Sequence, residues 1–66
     1  MIEVDKLTYS VDEAAKALGV GRRIVYELSR LPDFPAIRLG DRRIVISIDG
    51  LRLWVEHQAE KTAVKQ

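Results

Sequence analysis

Apolar residues recur along this chain with two different periods, and each change of period marks off an element. Over residues 11–18, Val11, Ala14, Ala15 and Leu18 fall at helical spacing, with Asp12, Glu13 and Lys16 turned outward. Ser10 stands before this run and Glu13 three residues after it, the reciprocal capping box that satisfies two amide donors at a helix start. Gly19 ends the pattern, because glycine takes the left-handed conformation of a helix C-terminus without steric penalty. A second helix is predicted over residues 22–31, with Val25 and Leu28 facing inward and Val20 plugging the angle between the helices. Arg22, Arg23, Tyr26, Glu27 and Arg30 are left on its outer side.

Pro32 and Pro35 then stop helical structure, and Phe34 between them is expected to pack on the core. The period shortens to two: Ile37 and Leu39 alternate with Arg38, Gly40 and Asp41 make a turn, and Ile44 and Ile46 alternate with Arg43 and Val45. The pattern predicts a β-hairpin with Arg42 and Arg43 at or near its tip. Ser47 is the candidate N-cap of a third helix that starts at Ile48 and runs to about residue 58 or beyond. Leu51, Trp54 and Val55 form its inward stripe, with Trp54 read as the main core anchor rather than a platform for a base. Ile48 and Leu53 fit that stripe less well and, if exposed, offer an apolar surface to a partner or a second copy. Residues 59–66 are polar and uncapped, a tail expected to be flexible unless a partner lengthens the helix.

The formal net charge of +1 does not by itself call for a nucleic-acid partner, but its distribution is uneven. Residues 1–21 set Lys6 and Lys16 against Glu3, Asp5, Asp12 and Glu13, a net negative stretch. Residues 22–43 set Arg22, Arg23, Arg30, Arg38, Arg42 and Arg43 against Glu27, Asp33 and Asp41, a net positive one, and the remainder balances. Every base in the middle block is arginine, whose planar fork suits phosphate and the guanine edge. An arginine-rich stretch is often only a solvated surface, and the order of elements gives this one a use. The second helix of a helix-turn-helix enters the major groove, and a basic hairpin behind it lies along the backbone or the minor groove. The expected architecture is α+β, mainly α: a winged helix-turn-helix of two short helices, a β-hairpin wing and a C-terminal helix, one domain over residues 1–66.

Composition removes other classes. At 66 residues the chain has room for one thin core, and with no cysteine it has neither a disulfide nor a Cys-based zinc site. His57 stands alone, as a surface residue rather than a metal ligand or catalytic base. No nucleophile, base and orienting group cluster together and no phosphate loop is present, so an enzyme is the least supported class, and neither cofactor nor metal is expected. The absence of an apolar signal run or a membrane-length span leads us to expect a cytoplasmic protein without a membrane partner.

The runs YSVDEAAKALGV, GRRIVYEL, FPAIRLGDRRIVIS and LRLWVE, in that order, resemble the excisionase-type small DNA-binding proteins, or recombination directionality factors. Their winged helix-turn-helix is similar to the DNA-binding part of MerR regulators, and the resemblance covers nearly the whole chain. It implies a non-enzymatic protein that binds short, often repeated sites on double-stranded DNA, bends them, and directs a prophage or mobile-element recombinase (integrase) toward excision. Transcriptional regulation is a common second role. The resemblance puts groove reading on Arg22, Arg23 and Tyr26, flanked by Glu27 and Arg30, and wing contacts on Arg38, Arg42 and Arg43. Two positions depart from it: Gly21 stands where many relatives have a capping serine, and Ile24 where threonine is frequent. One copy this small binds weakly, so cooperative self-association on adjacent sites is expected. Two further readings stay open, a transcriptional regulator of phage or mobile-element genes using the same residues, and a protein-interaction module that has lost DNA binding. Only the balanced overall charge and Glu27 on the outer helix face favour the last.

Overall fold

In the computed structural model, which describes residues 6–64, the chain runs β1 (Thr8–Ser10), α1 (Val11–Leu18), α2 (Arg22–Leu28), β2 (Ala36–Leu39), β3 (Arg43–Ser47) and α3 (Ile48–Val64). The start of α1 follows from its capping box: the Glu13 amide donates to Ser10 Oγ at 3.1 Å and the Ser10 amide to Glu13 Oε1 at 2.9 Å. Lys6 adds an ion pair to the same carboxylate. Gly19 closes the helix at φ 76°, while the Val20 amide donates to the Ala15 carbonyl at 3.0 Å. These bonds satisfy carbonyls that a helix end leaves open and turn the chain sharply into α2.

Ala14, Ala15 and Val25 are buried within one core cluster, which brings α1 and α2 together through small side chains. They fill the crossing themselves, so Val20 does not plug it and is 39% exposed, contrary to expectation. Helix α2 is also shorter than predicted. After Leu28 the bonds from the Arg30 amide to Glu27 and from the Leu31 amide to Leu28 reach back three residues instead of four. Pro32 accounts for this tapering, since the residue before a proline is pushed out of the helical region. Arg30 therefore lies in the turn behind α2 and not on it.

The short strand β1 was not expected. It pairs antiparallel with β3 (Thr8 with Ser47, Tyr9 with Ile46, Ser10 with Val45), making a three-stranded sheet of order β1-β3-β2. In the hairpin itself, Ala36 faces Ile46, Ile37 faces Val45, Arg38 faces Ile44 and Leu39 faces Arg43. Directly opposed residues share a face of the sheet. Ala36, Arg38, Ile44 and Ile46 thus form the core side, with Ile46 fully buried, and Ile37 and Leu39 are exposed on the other. Val45 is buried on that outer face because it lies on the central strand, flanked by Ser10 and Ile37.

Ser47 caps α3, accepting a hydrogen bond at Oγ from the Gly50 amide at 3.0 Å. The first turn presses against the loop before β2: a Cβ built on Gly50 would stand 2.7 Å from Pro35 Cβ. Leu51 is buried, and Trp54 meets Phe34 edge to face, ring centroids 4.9 Å apart at 84°. Trp54 is packed against the core but only half-buried, with an indole N–H that lacks an acceptor. Val55 is exposed instead of inward, Leu53 is 67% exposed, and Ile48 is half-buried. The helix continues through residues 59–64, where a flexible tail was expected. Thr62 Oγ1 donates to the Gln58 carbonyl at 3.0 Å, and Lys61 complements the helix dipole in the last turn. Residues 65–66 of that tail lie outside the described residues. Among the described residues, three helices and one antiparallel sheet make an α+β, mainly helical, winged helix-turn-helix.

Candidate nucleic-acid interface

The first turn of α2 carries Arg22 and Arg23, and Gly21 before it provides no side-chain cap. Its carbonyl nevertheless accepts from the Ile24 amide at 3.1 Å and starts the helix. The two arginines differ in how they are held. Arg22 Nε lies 3.3 Å from Asp12 Oδ1 on α1, and its Nη2 donates to the Tyr26 hydroxyl at 3.4 Å. The guanidinium carbon sits 5.7 Å from the centre of the Tyr26 ring, a cation–π contact one helical turn along. The Tyr26 hydroxyl first, and the Asp12 charge second, push the Arg22 pKa above its already high range. Arg23 is 91% exposed, and among the described residues its salt bridge is to Glu27, with Oε2 3.8 Å away.

Residues 40–42 connect β2 to β3, with Gly40 at φ 70° supplying the left-handed turn, and the wing carries Arg42 in this turn and Arg43 at the start of β3. Strand β1 holds β3 beside the start of α1, so wing and helices meet. Between them lies a cleft of about 250 Å³ lined by Asp12, Arg22 and Tyr26 from the helices and by Arg42, Arg43 and Val45 from the wing. Four of the residues singled out in the sequence therefore share one concave surface: Arg22, Tyr26, Arg42 and Arg43. Arg23, Glu27, Arg30 and Arg38 are exposed and do not line it. Arg38 is on the core side of β2 opposite Ile44, and Arg30 follows the end of α2.

The family model of the helix-turn-helix domain matches residues 8–59, most of the chain. The protein belongs to the helix-turn-helix domain family. That family includes excisionase-like DNA-binding proteins. No curated protein and no solved structure matches the chain. Membership of this family points to DNA as the partner.

A larger groove of about 480 Å³ lies along α3, but its rim carries Asp33, Glu56 and Glu60 beside Trp54 and His57. Three carboxylates at one rim repel a phosphate backbone. Among the described residues, no cluster of His, Asp or Glu has the makings of a metal site, and no helix is long and apolar enough to cross a membrane. The residue that sequence reasoning missed is Asp12, taken as a solvated position of α1. Periodicity assigns it to the outer side of α1, and only the crossing of α1 with α2 reveals that this side faces Arg22.

Proposed function

We propose that this helix-turn-helix protein is of the excisionase type: it binds and bends DNA at a prophage or mobile-element attachment site and directs a recombinase toward excision. The observation that carries the reading is the cleft joining Arg22 and Tyr26 of α2 to Arg42 and Arg43 of the wing. Helix α2 enters the major groove, where Arg22 and Arg23 read base edges with Tyr26, flanked by Glu27 and Arg30. Arg42 and Arg43 follow the backbone or the adjacent minor groove, with Arg38 contacting phosphate. Support comes from the order of elements, the arginine-only basic block of residues 22–43, and the family match over residues 8–59. The wing is MerR-like in its position behind the recognition helix.

One module this size makes few contacts, so useful affinity comes from several copies on adjacent sites, and the bent DNA assembles the recombinase. Footprinting and circular-permutation bending on the element's attachment region test the proposal. A protected, bent region is expected, and unprotected, unbent DNA overturns it. Control of a nearby promoter in a strain lacking the integrase, with no effect on excision, would assign the same surface to transcriptional regulation.

A further inference from the structure

The geometry points to Asp12 as a specificity-determining residue that acts through Arg22, reserving this arginine for a base edge instead of a phosphate. The inference rests on the DNA-binding reading above and concerns how that surface discriminates. Asp12 Oδ1 makes an ion pair with the guanidinium, 3.3 Å from Nε, and Nη2 donates one N–H to the Tyr26 hydroxyl at 3.4 Å. The Tyr26 ring supports the group from one side, its centre 5.7 Å from the guanidinium carbon. A guanidinium has five N–H donors in a fixed fork. Donors on both terminal nitrogens remain, and those are the atoms that grip guanine O6 and N7 together.

The hold has two consequences. A free arginine loses considerable rotamer freedom when it binds, whereas Arg22, 60% exposed, is already oriented by Asp12 of α1 and by Tyr26, so its fork is partly pre-organised. Arg23 next to it is 91% exposed and lacks such a frame. The second consequence is electrostatic. Asp12 shares the cleft with Arg22, Arg42 and Arg43, so a carboxylate beside Arg22 repels a phosphate drawn toward it. A base edge is neutral and tolerates that carboxylate. A phosphate does not. Arg42 and Arg43 on the opposite wall have no such neighbour among the salt bridges of the described residues, and they remain the phosphate-binding groups.

The test compares wild type with Asp12→Asn on a duplex recovered by selection from random DNA, on duplexes with each base pair replaced in turn, and on scrambled DNA, over a range of salt. Asp12→Asn keeps the size of the side chain and removes its charge. Discrimination at one guanine position is expected to fall about tenfold, within the range spanned by a bidentate arginine contact. The slope of log K against log salt should steepen by about 1, because the released Arg22 now neutralises a phosphate. Asp12→Glu should restore part of the discrimination. Arg22→Lys, which keeps the charge and loses the fork, should lose the same base preference with the salt slope unchanged, and it provides a second test should Asp12→Asn fold poorly. If Asp12→Asn keeps both the wild-type discrimination and the wild-type slope, or Arg22→Lys keeps full base preference, the inference is overturned while DNA binding stands. If the wild type selects no sequence and binds no DNA, both this inference and the functional reading fail.

Discussion

Gly50→Ala separates what a helix prefers locally from what this fold permits. Gly50 is the third residue of α3, and alanine there should favour the helix by about 1 kcal/mol on intrinsic propensity alone. The added methyl, however, would stand 2.7 Å from Pro35 Cβ, 3.1 Å from Ser47 Oγ and 3.2 Å from Ser47 Cβ. Carbon atoms pack comfortably at about 3.5 Å or more, so the overlap with Pro35 is about 0.8 Å. Pro35 cannot swing aside, because its Cβ belongs to a ring closed on the backbone and its carbonyl accepts from the Ser47 amide at 3.0 Å. Relieving the clash means moving α3 off the loop before β2, an overpacking cost of about 1–3 kcal/mol. The same shift disturbs the bond from the Gly50 amide to Ser47 Oγ, a cap worth about 1 kcal/mol. Against the propensity gain, the net loss is about 2 kcal/mol, out of a total stability on the order of 3–10 kcal/mol for a domain this small. Thermal melting followed by circular dichroism should show the midpoint falling by about 8–16 °C. A midpoint that stays put or rises would mean that propensity dominates, and the close approach of α3 to Pro35 would be wrong.

Gly21→Ser is expected to act in the opposite direction. Gly21 has extended backbone at φ −77° and nothing within 4 Å of an added Cβ, so a serine can cap α2 and raise stability by a few tenths of a kcal/mol in the same melting assay. Glu13 should make α1 sensitive to acid. The hydrogen bond from Lys6, and then that from the Ser10 amide, hold its pKa below the ordinary carboxylate value, so its contribution is complete above that value and disappears as pH falls through the depressed one. The gap in melting temperature between wild type and Glu13→Gln should therefore close on acidification, and a constant gap would contradict this. On DNA, Tyr26→Phe removes the hydroxyl partner of Arg22 and should reduce specific binding more than non-specific binding, whereas Arg42→Ala should weaken both about equally. Competition with scrambled DNA measures the difference, and equal losses for the two variants would mean that α2 reads no bases.

Features held by near neighbours in sequence were legible, and those held by distant ones were not. The capping box of Ser10 and Glu13, the left-handed Gly19 and the Ser47 cap each close within five residues, so residue type and spacing were enough to find them. Strand β1 is three residues long and exists because Tyr9 pairs with Ile46, a contact no local pattern announces. Alternation located the hairpin but could not say which face is inner. Small Ala36 opposite Ile46 takes the core side, and the larger Ile37 and Leu39 are left outside. Val20 and Val55 are exposed for the related reason that an apolar residue at helical spacing is buried only where a neighbour arrives to cover it.

That basic residues gather in the middle of the chain could be read from the sequence, but how each of them is held could not. Arg22 and Arg23 are adjacent and chemically identical, but the packing of α1 against α2 brings Asp12 to Arg22, which also has Tyr26 one turn along, while Arg23 has only the looser pair with Glu27 and stays largely in solvent. Charge is sorted in the same way. A formal net charge of +1 is a weak basis for attracting DNA, yet Asp33, Glu56 and Glu60 gather around the groove on α3, while Arg22, Arg42 and Arg43 converge on the cleft. The fold thus acquires a sidedness that the composition lacks, and the acidic groove on α3 is unfavourable to a phosphate backbone. In the binding mode proposed above few arginines face the DNA backbone, so sequence-independent attraction by a single copy is shallow. On that proposal, discrimination comes from ordered contacts such as the Arg22 fork, and affinity from neighbouring copies on the same DNA.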